Sequence, residues 1–323
     1  HCPDFADVKG QPVARRAAEV AAAGGHNLLL LGSPGSGKSM IAQRLPSILP
    51  ELSFEESIET TQIHSIAGLL PQGVSLLRNR PFRAPHHTVS AAGLTGGGSN
   101  PRPGEISLAH NGVLFLDELP EFSRAALEAL RQPMENSRVT ISRAGGSITY
   151  PSRIMAVAAM NPCPCGYYGH PDRPCTCTPT AIKRYLGRVS GPLLDRLDIQ
   201  VEVAPVRYED LASTAREEGS AAIRERVAAA RKLQQQRLAP YGESCNARIP
   251  AGALGEVCPL TPAADRMLKM AFERLNLSGR AYDRLLKIAR TIADLAGSER
   301  IDTPHITEAI QYRSLDRKYW TGA

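Results

Sequence analysis

Four short apolar runs punctuate the first two thirds of the chain: Leu28–Leu31, Val113–Leu116, Ile154–Met160 and Ile199–Val203. Ile199–Val203 alternates with Gln200 and Glu202, whereas the first three runs carry no polar residue. Strands buried on both faces read this way. Helical stretches lie between the runs, so residues 1 to about 205 predict an α/β unit, a parallel sheet covered by helices on both sides. After Pro205 the pattern turns to helices alone. Ser220–Leu238 is long, charged and Ala-rich, and Ser278-Gly279-Arg280 opens a helix rich in Leu, Ile and Ala. Thr261-Pro262 and Thr303-Pro304 each set a capping hydroxyl before a Pro that a first helical turn tolerates. Residues 206–323 therefore predict a smaller all-helical domain, with a linker-like segment at Ala239–Gly255. A chain of 323 residues, 42% hydrophobic, suffices for one large domain and one small one. It shows no internal repeat and no low-complexity tract.

The first run leads directly into Gly32-Ser33-Pro34-Gly35-Ser36-Gly37-Lys38-Ser39, the spacing G-x-x-x-x-G-K-S. Glycines let a backbone wrap until several N–H groups point at one polyphosphate, and the helix that follows adds its dipole. Lys38 then reaches the outer phosphates and the Ser39 hydroxyl can ligate Mg²⁺. The second run ends in Asp117-Glu118. An Asp at a strand tip can hold the metal shell, and the adjacent Glu can orient and deprotonate a water. About 75 residues separate the two motifs, more than a strand–helix–strand unit needs, so a segment is inserted at about 65–110. The third run ends in Asn161, a polar tip beside the other two.

Together these motifs resemble an AAA+ ATPase of the helix-2-insert group, the magnesium-chelatase-like YifB/ComM family, over nearly the whole chain. Its most specific passage is Arg83-Ala84-Pro85-His86-His87-Thr88, then Gly93-Leu94-Thr95-Gly96-Gly97-Gly98, then Arg102-Pro103-Gly104-Glu105. The resemblance implies that Asp4–Gln11 is the entry segment, with Val8 and Gln11 near the adenine. It implies that Gly32–Ser39 binds ATP, that Asp117 and Glu118 are the Walker B pair, and that Asn161 is sensor 1. In Gly191–Asp198 it makes Arg196 the arginine finger offered to a neighbouring subunit, with Arg188 as the competing choice. Arg280 becomes sensor 2, carried to the nucleotide from the side of the helical lid. The family also carries an N-terminal domain resembling the Lon protease fold. This chain opens on His1 with no signal-peptide pattern, which reads as a fragment.

Net charge is +6, the isoelectric point is near 9.0, and 31 of the 38 basic residues are Arg. Arg pairs with phosphate bidentately, which favours a polyanionic partner, although genome composition also raises Arg usage. Val139–Tyr150 sharpens this, because two alternating β-branched segments flank Arg143-Ala144-Gly145-Gly146, a hairpin pattern. The resembled group places a hairpin here, pointing into the pore of a ring. Arg143 at its tip would grip DNA phosphates, with Arg78, Arg80 and Arg83 of the insert as second contacts. His86 and His87 diverge too much to share a metal, which leaves structural or nucleic-acid contacts for them.

Cys163, Cys165, Cys175 and Cys177 put four of the seven cysteines within 15 residues. ATP chemistry implies a reducing, cytoplasmic setting, so the readings are a tetrahedral Zn²⁺ site or reduced, unligated thiols. Cys2, Cys245 and Cys258 stand alone. No apolar run approaches the ~18 residues of a membrane helix. Beside a nucleotide-dependent chaperone or assembly factor, two functions remain open. One is an ATP-driven DNA motor, which the resemblance makes a hexameric branch-migration helicase of natural transformation. The other is the ATPase subunit of a metal-insertion complex that remodels a protein partner.

Overall fold

The structure, a computed structural model, describes residues 3–98, 101–143 and 146–321. Nine strands are present among them. They are β1 (Leu28–Leu31), β2 (Phe82–Arg83), β3 (Gly96–Gly97), β4 (Arg102–Pro103), β5 (Val113–Leu116), β6 (Arg138–Arg143), β7 (Gly146–Pro151), β8 (Met155–Met160) and β9 (Ile199–Glu202). Five of these form one parallel sheet in the order β2-β5-β8-β1-β9. Leu28 stands opposite Val157 on one side and Ile199 on the other. Side chains alternate across a strand, so each run serves two cores. Leu28, Leu30, Phe115 and Val157 face one, while Leu29, Leu31, Leu116 and Ala158 face the other.

The helical region packs into the first of these cores. Its long helix, Ser220–Leu238, lies on the Ala-rich helix Pro12–Gly24, and both touch the helix Gly279–Leu295. Ala17, Ala18, Ala21 and Ala22 allow the close approach, and Val227, Ala230, Ile288 and Ala289 fill it. Polar clamps fix the contact: Arg231 donates to the Ala22 carbonyl, Gln234 to that of Ala23, and Arg226 to the Glu19 carboxylate.

Two details differ from the sequence reading. Asp302, not Thr303, caps the last long helix, because its carboxylate accepts from the Thr303 N–H and its own N–H meets the His305 ring. The Ala239–Gly255 segment is no linker. Cys245, Asn246, Ile249 and Ala253 are buried, and Asn246 donates to Asp294 and Thr291. Among the described residues no helix is long and apolar enough to cross a membrane.

Candidate active site

The carboxyl ends of β1, β5 and β8 lie side by side, and their tips bring four polar side chains together. Lys38 Nζ donates to the carbonyls of Gly32 and Ser33, both at 2.8 Å, and to Asn161 Oδ1 at 3.1 Å. Burial pushes its amine down to about 8, against the pull of Asp117. An anionic polyphosphate in this cradle would restore the charge. Gly35 (φ +76°) and Gly37 (φ +97°) take left-handed backbone that a side chain would strain. Ser39 Oγ donates to Asp117 Oδ2 at 2.8 Å, and Asp117 Oδ1 accepts from the Glu118 N–H at 2.9 Å. A hydroxyl and a carboxylate in contact are the hard-oxygen set that suits Mg²⁺ beside phosphates, so these residues fit that ion.

The entry segment closes against the same loop. Gln11 Nε2 donates to the carbonyls of Ser36 at 3.1 Å and Ala204 at 2.6 Å, and Val8 is buried. Glu118 stands at φ +53°, ψ +49° with its side chain 60% exposed, and its carboxylate meets the imidazole of His87. No sequence signal paired those two residues, since His87 belongs to the insert.

Arg196 and Arg280 lie elsewhere. Both line a cleft of about 770 Å³ bordered by Asn27 before β1, Ile154 before β8 and Asp198 before β9. That is the amino end of the sheet, opposite the Lys38 loop. Arg280 therefore does not reach the nucleotide loop of its own chain, as the sequence reading had it. The physical reason is the packing of the helical region on Pro12–Gly24, at the back of the sheet. Arg196 donates to the Pro192 carbonyl at 2.6 Å and to Glu135 at 2.5 Å. Arg188 instead pairs with Glu121, just past the Walker B strand. The floor of the cleft is locked by His26, whose Nε2 lies 2.7 Å from Thr291 Oγ1. Burial, with Lys287 and Arg231 nearby, drives the His26 pKa from 6.5 down to about 3.

The insert arginines part company. Arg80 is held by Glu56 and by the carbonyls of Pro50 and Asn111. Arg83 makes two bonds to Glu105, at 2.7 and 2.8 Å. Both are structural ion pairs rather than free phosphate contacts. Arg78 is exposed. Strands β6 and β7 form the expected hairpin, with Arg143 opposite Gly146. Val139, Ile141 and Tyr150 face inward, and Thr140, Ser142, Ser147 and Thr149 are exposed. Ala144, Gly145 and the Arg143 side chain lie outside the described residues, as does Cys2.

Directly after Asn161, the sulfurs of Cys163, Cys165, Cys175 and Cys177 lie within 4.8 Å of one another. Separations of 3.4, 3.7 and 3.5 Å among the first three match the edge of a tetrahedron with metal–sulfur bonds of ~2.3 Å. They are too long for a disulfide. The Gly166 and Tyr168 N–H groups donate to Cys163 Sγ. Desolvation and the thiols of Cys165 and Cys163 push Cys175 up to about 12. The loop also touches the phosphate loop, since a Cβ on Gly166 would come 2.5 Å from Pro34 Cδ. Cys245 and Cys258 are buried.

The sequence profile described as magnesium chelatase, subunit ChlI, matches residues 4–211, and that of the same subunit's C-terminal region matches residues 217–313. Competence protein ComM of Haemophilus influenzae is 47% identical over 318 residues, covering 97% of this chain and 60% of that protein. The uncharacterized protein YifB of Escherichia coli is 46% identical over 316 residues, covering 97% and 61%. More distantly, the DNA replication licensing factor mcm6 of Dictyostelium discoideum is 26% identical over 173 residues, covering 54% and 16%. The chain spans about three fifths of the length of the first two relatives.

Proposed function

Because the chain belongs to the magnesium chelatase ChlI family of AAA+ ATPases, we propose that it is the motor portion of a ring, a hexamer, that couples ATP hydrolysis to the remodelling of branched DNA in natural transformation. The observation that carries the DNA reading is the β6–β7 hairpin. Its exposed face is a row of hydroxyls, Thr140, Ser142, Ser147 and Thr149, with Arg138 at the base, and Arg143 is the last residue of β6, paired with Gly146. Hydroxyls and guanidinium groups are the side chains that hold a phosphate backbone without reading bases. The printed names of ComM and mcm6, a competence protein and a DNA replication factor, point the same way.

In this reading the loop amides and Lys38 bind the phosphates, Val8 and Gln11 border the base, and Ser39 with Asp117 holds Mg²⁺. The metal, when bound, neutralises charge on the phosphate oxygens. Glu118 takes the proton from the attacking water, and Asn161 orients that water against the terminal phosphate. Arg196, with Arg280 beside it, faces the nucleotide of the adjacent subunit. Their common placement at the far end of the sheet favours Arg196 over Arg188 as the finger. Cys163, Cys165, Cys175 and Cys177 hold a structural Zn²⁺ that fixes the loop after Asn161.

A second reading rests on the description of the matching profile, a magnesium chelatase subunit. In it the same ring would act on a protein partner in metal insertion. ATPase rate at low salt, with and without single-stranded and forked DNA, separates the two. Stimulation that falls steeply with salt supports the DNA motor. An unresponsive rate overturns it in favour of the chelatase reading.

A further inference from the structure

We propose that His87 is the positioning residue for Glu118, an inference that rests on the reading of Glu118 as the base. His87 Nδ1 lies 3.1 Å from Glu118 Oε2. The two atoms are within hydrogen-bonding reach, and a carboxylate oxygen accepts from an imidazole N–H once the ring turns into line with it. A glutamate has three rotatable bonds, and an exposed one samples many rotamers unless a partner fixes it. His87 takes one carboxylate oxygen and leaves Oε1 to accept from a water. Turnover then depends on how firmly His87 itself is held.

It is held from several sides. Its ring packs tilted against that of His86 with centroids 4.1 Å apart, and the Val89 N–H closes a turn on the His86 carbonyl at 2.9 Å. Four residues upstream, β2 pairs in parallel with β5, the strand that ends in Asp117-Glu118. The Pro81 carbonyl accepts from the Val113 N–H at 2.8 Å. A Cβ on Gly112 would come 2.1 Å from that oxygen, so only glycine permits the approach. Phe82 stacks on Phe115, and Arg83 is bound twice to Glu105. Donor and acceptor are thus carried by two strands zipped to each other. Any displacement of the insert beyond Arg83 is felt at the Glu118 carboxylate. The His86-His87 pair, which neither a metal nor a phosphate contact absorbs, gains a use.

The test is ATP hydrolysis and ATP binding by the full-length protein carrying His87→Ala, His87→Leu, His87→Asn, Glu118→Gln, or His87→Ala with Glu118→Gln. Asparagine sets an amide nitrogen near the place of Nδ1, and leucine keeps bulk without a donor. The Ala and Leu variants are expected to lose about tenfold or more in kcat while the ATP Kd stays within about twofold. His87→Asn should recover to within about threefold of wild type, and the double variant should fall no further than Glu118→Gln alone. Unchanged or raised turnover in both the Ala and Leu variants overturns the proposal, as does an equal loss in the Asn variant. If Glu118→Gln itself turns over like wild type, the base assignment falls and takes the His87 proposal with it. A dead Glu118→Gln beside unimpaired His87→Ala and His87→Leu defeats the His87 proposal alone.

Discussion

At the carboxyl end of the central sheet, Lys38 is bound to Asn161 and Ser39 to Asp117, each across a pair of strand tips. At the amino end, seven Arg and Lys side chains share a cleft with only five carboxylates, and Arg196 and Arg280 lean on its wall. The first cluster is balanced within the chain and wants only a ligand. The second holds surplus cation toward an opening and balances when an anion enters. In the proposed ring, one sheet would present a receptor for phosphate at one end and donors toward a neighbour's phosphate at the other, so that copies would complete one another head to tail.

The sharpest way to break this contrast is to disable each end separately. Arg196→Ala should cut hydrolysis by the assembled protein by about a thousandfold or more while ATP affinity stays nearly intact. Mixing it with Glu118→Gln should restore part of the rate, because some interfaces then join an intact Glu118 to an intact Arg196. No recovery in well-mixed assemblies would make the two ends independent, and Arg188→Ala is the control. Lys38→Ala acts at the carboxyl end alone. It should weaken ATP binding by about a hundredfold, the loss of a charged hydrogen-bonding group, and unchanged affinity in a binding titration would remove it from the cradle.

Smaller effects sharpen the boundary. Purified protein should carry about one zinc per chain, and replacing Cys163 and Cys177 together should remove it and lower the melting temperature by several degrees. Metal-free wild type with the melting point of that variant would leave the thiols unligated. At the amino end, His26 has a folded pKa below its unfolded 6.5. The unfolded chain then binds the extra proton, so its contribution is complete above about pH 6.5 and is lost as pH falls toward 3, by at most ~1.4 kcal/mol per unit. His26→Gln should flatten that part of the stability profile in pH-dependent melts, while a slope identical to wild type would absolve His26.

Strands β1, β5, β8 and β9 were legible to within a residue, the first three because each is an unbroken apolar run and β9 because its apolar residues recur at every second position. Strand β2 was not, since two residues, one of them Arg83, carry no period. Ala239–Gly255 has a loop's composition, yet Asn246 earns burial through partners at Gln234 and Asp294, far along the chain. The nucleotide loop and the Walker B acids were readable because their chemistry demands fixed spacing. Arg80 and Arg83 looked like Arg78, since the carboxylates that occupy them, Glu56 and Glu105, lie 24 and 22 residues away. Arg280 failed for a larger reason, because no local pattern says which side of a sheet a helical domain will cover.

The strand order also governs how this protein is born. The phosphate loop hangs from β1, but both neighbours of β1 come much later in the sequence, at Met155–Met160 and Ile199–Glu202. A ribosome must pass Glu202 before that strand is flanked on both sides, and must finish the Gly279–Leu295 helix before its alanine-faced support is fully covered. Long-range parallel pairing of this kind is slow to form. The nascent chain thus carries its most apolar strand unpaired until β8 is made and open on one side until β9 follows, and a stall before residue 199 would release a polypeptide that displays Leu28–Leu31 at an open edge.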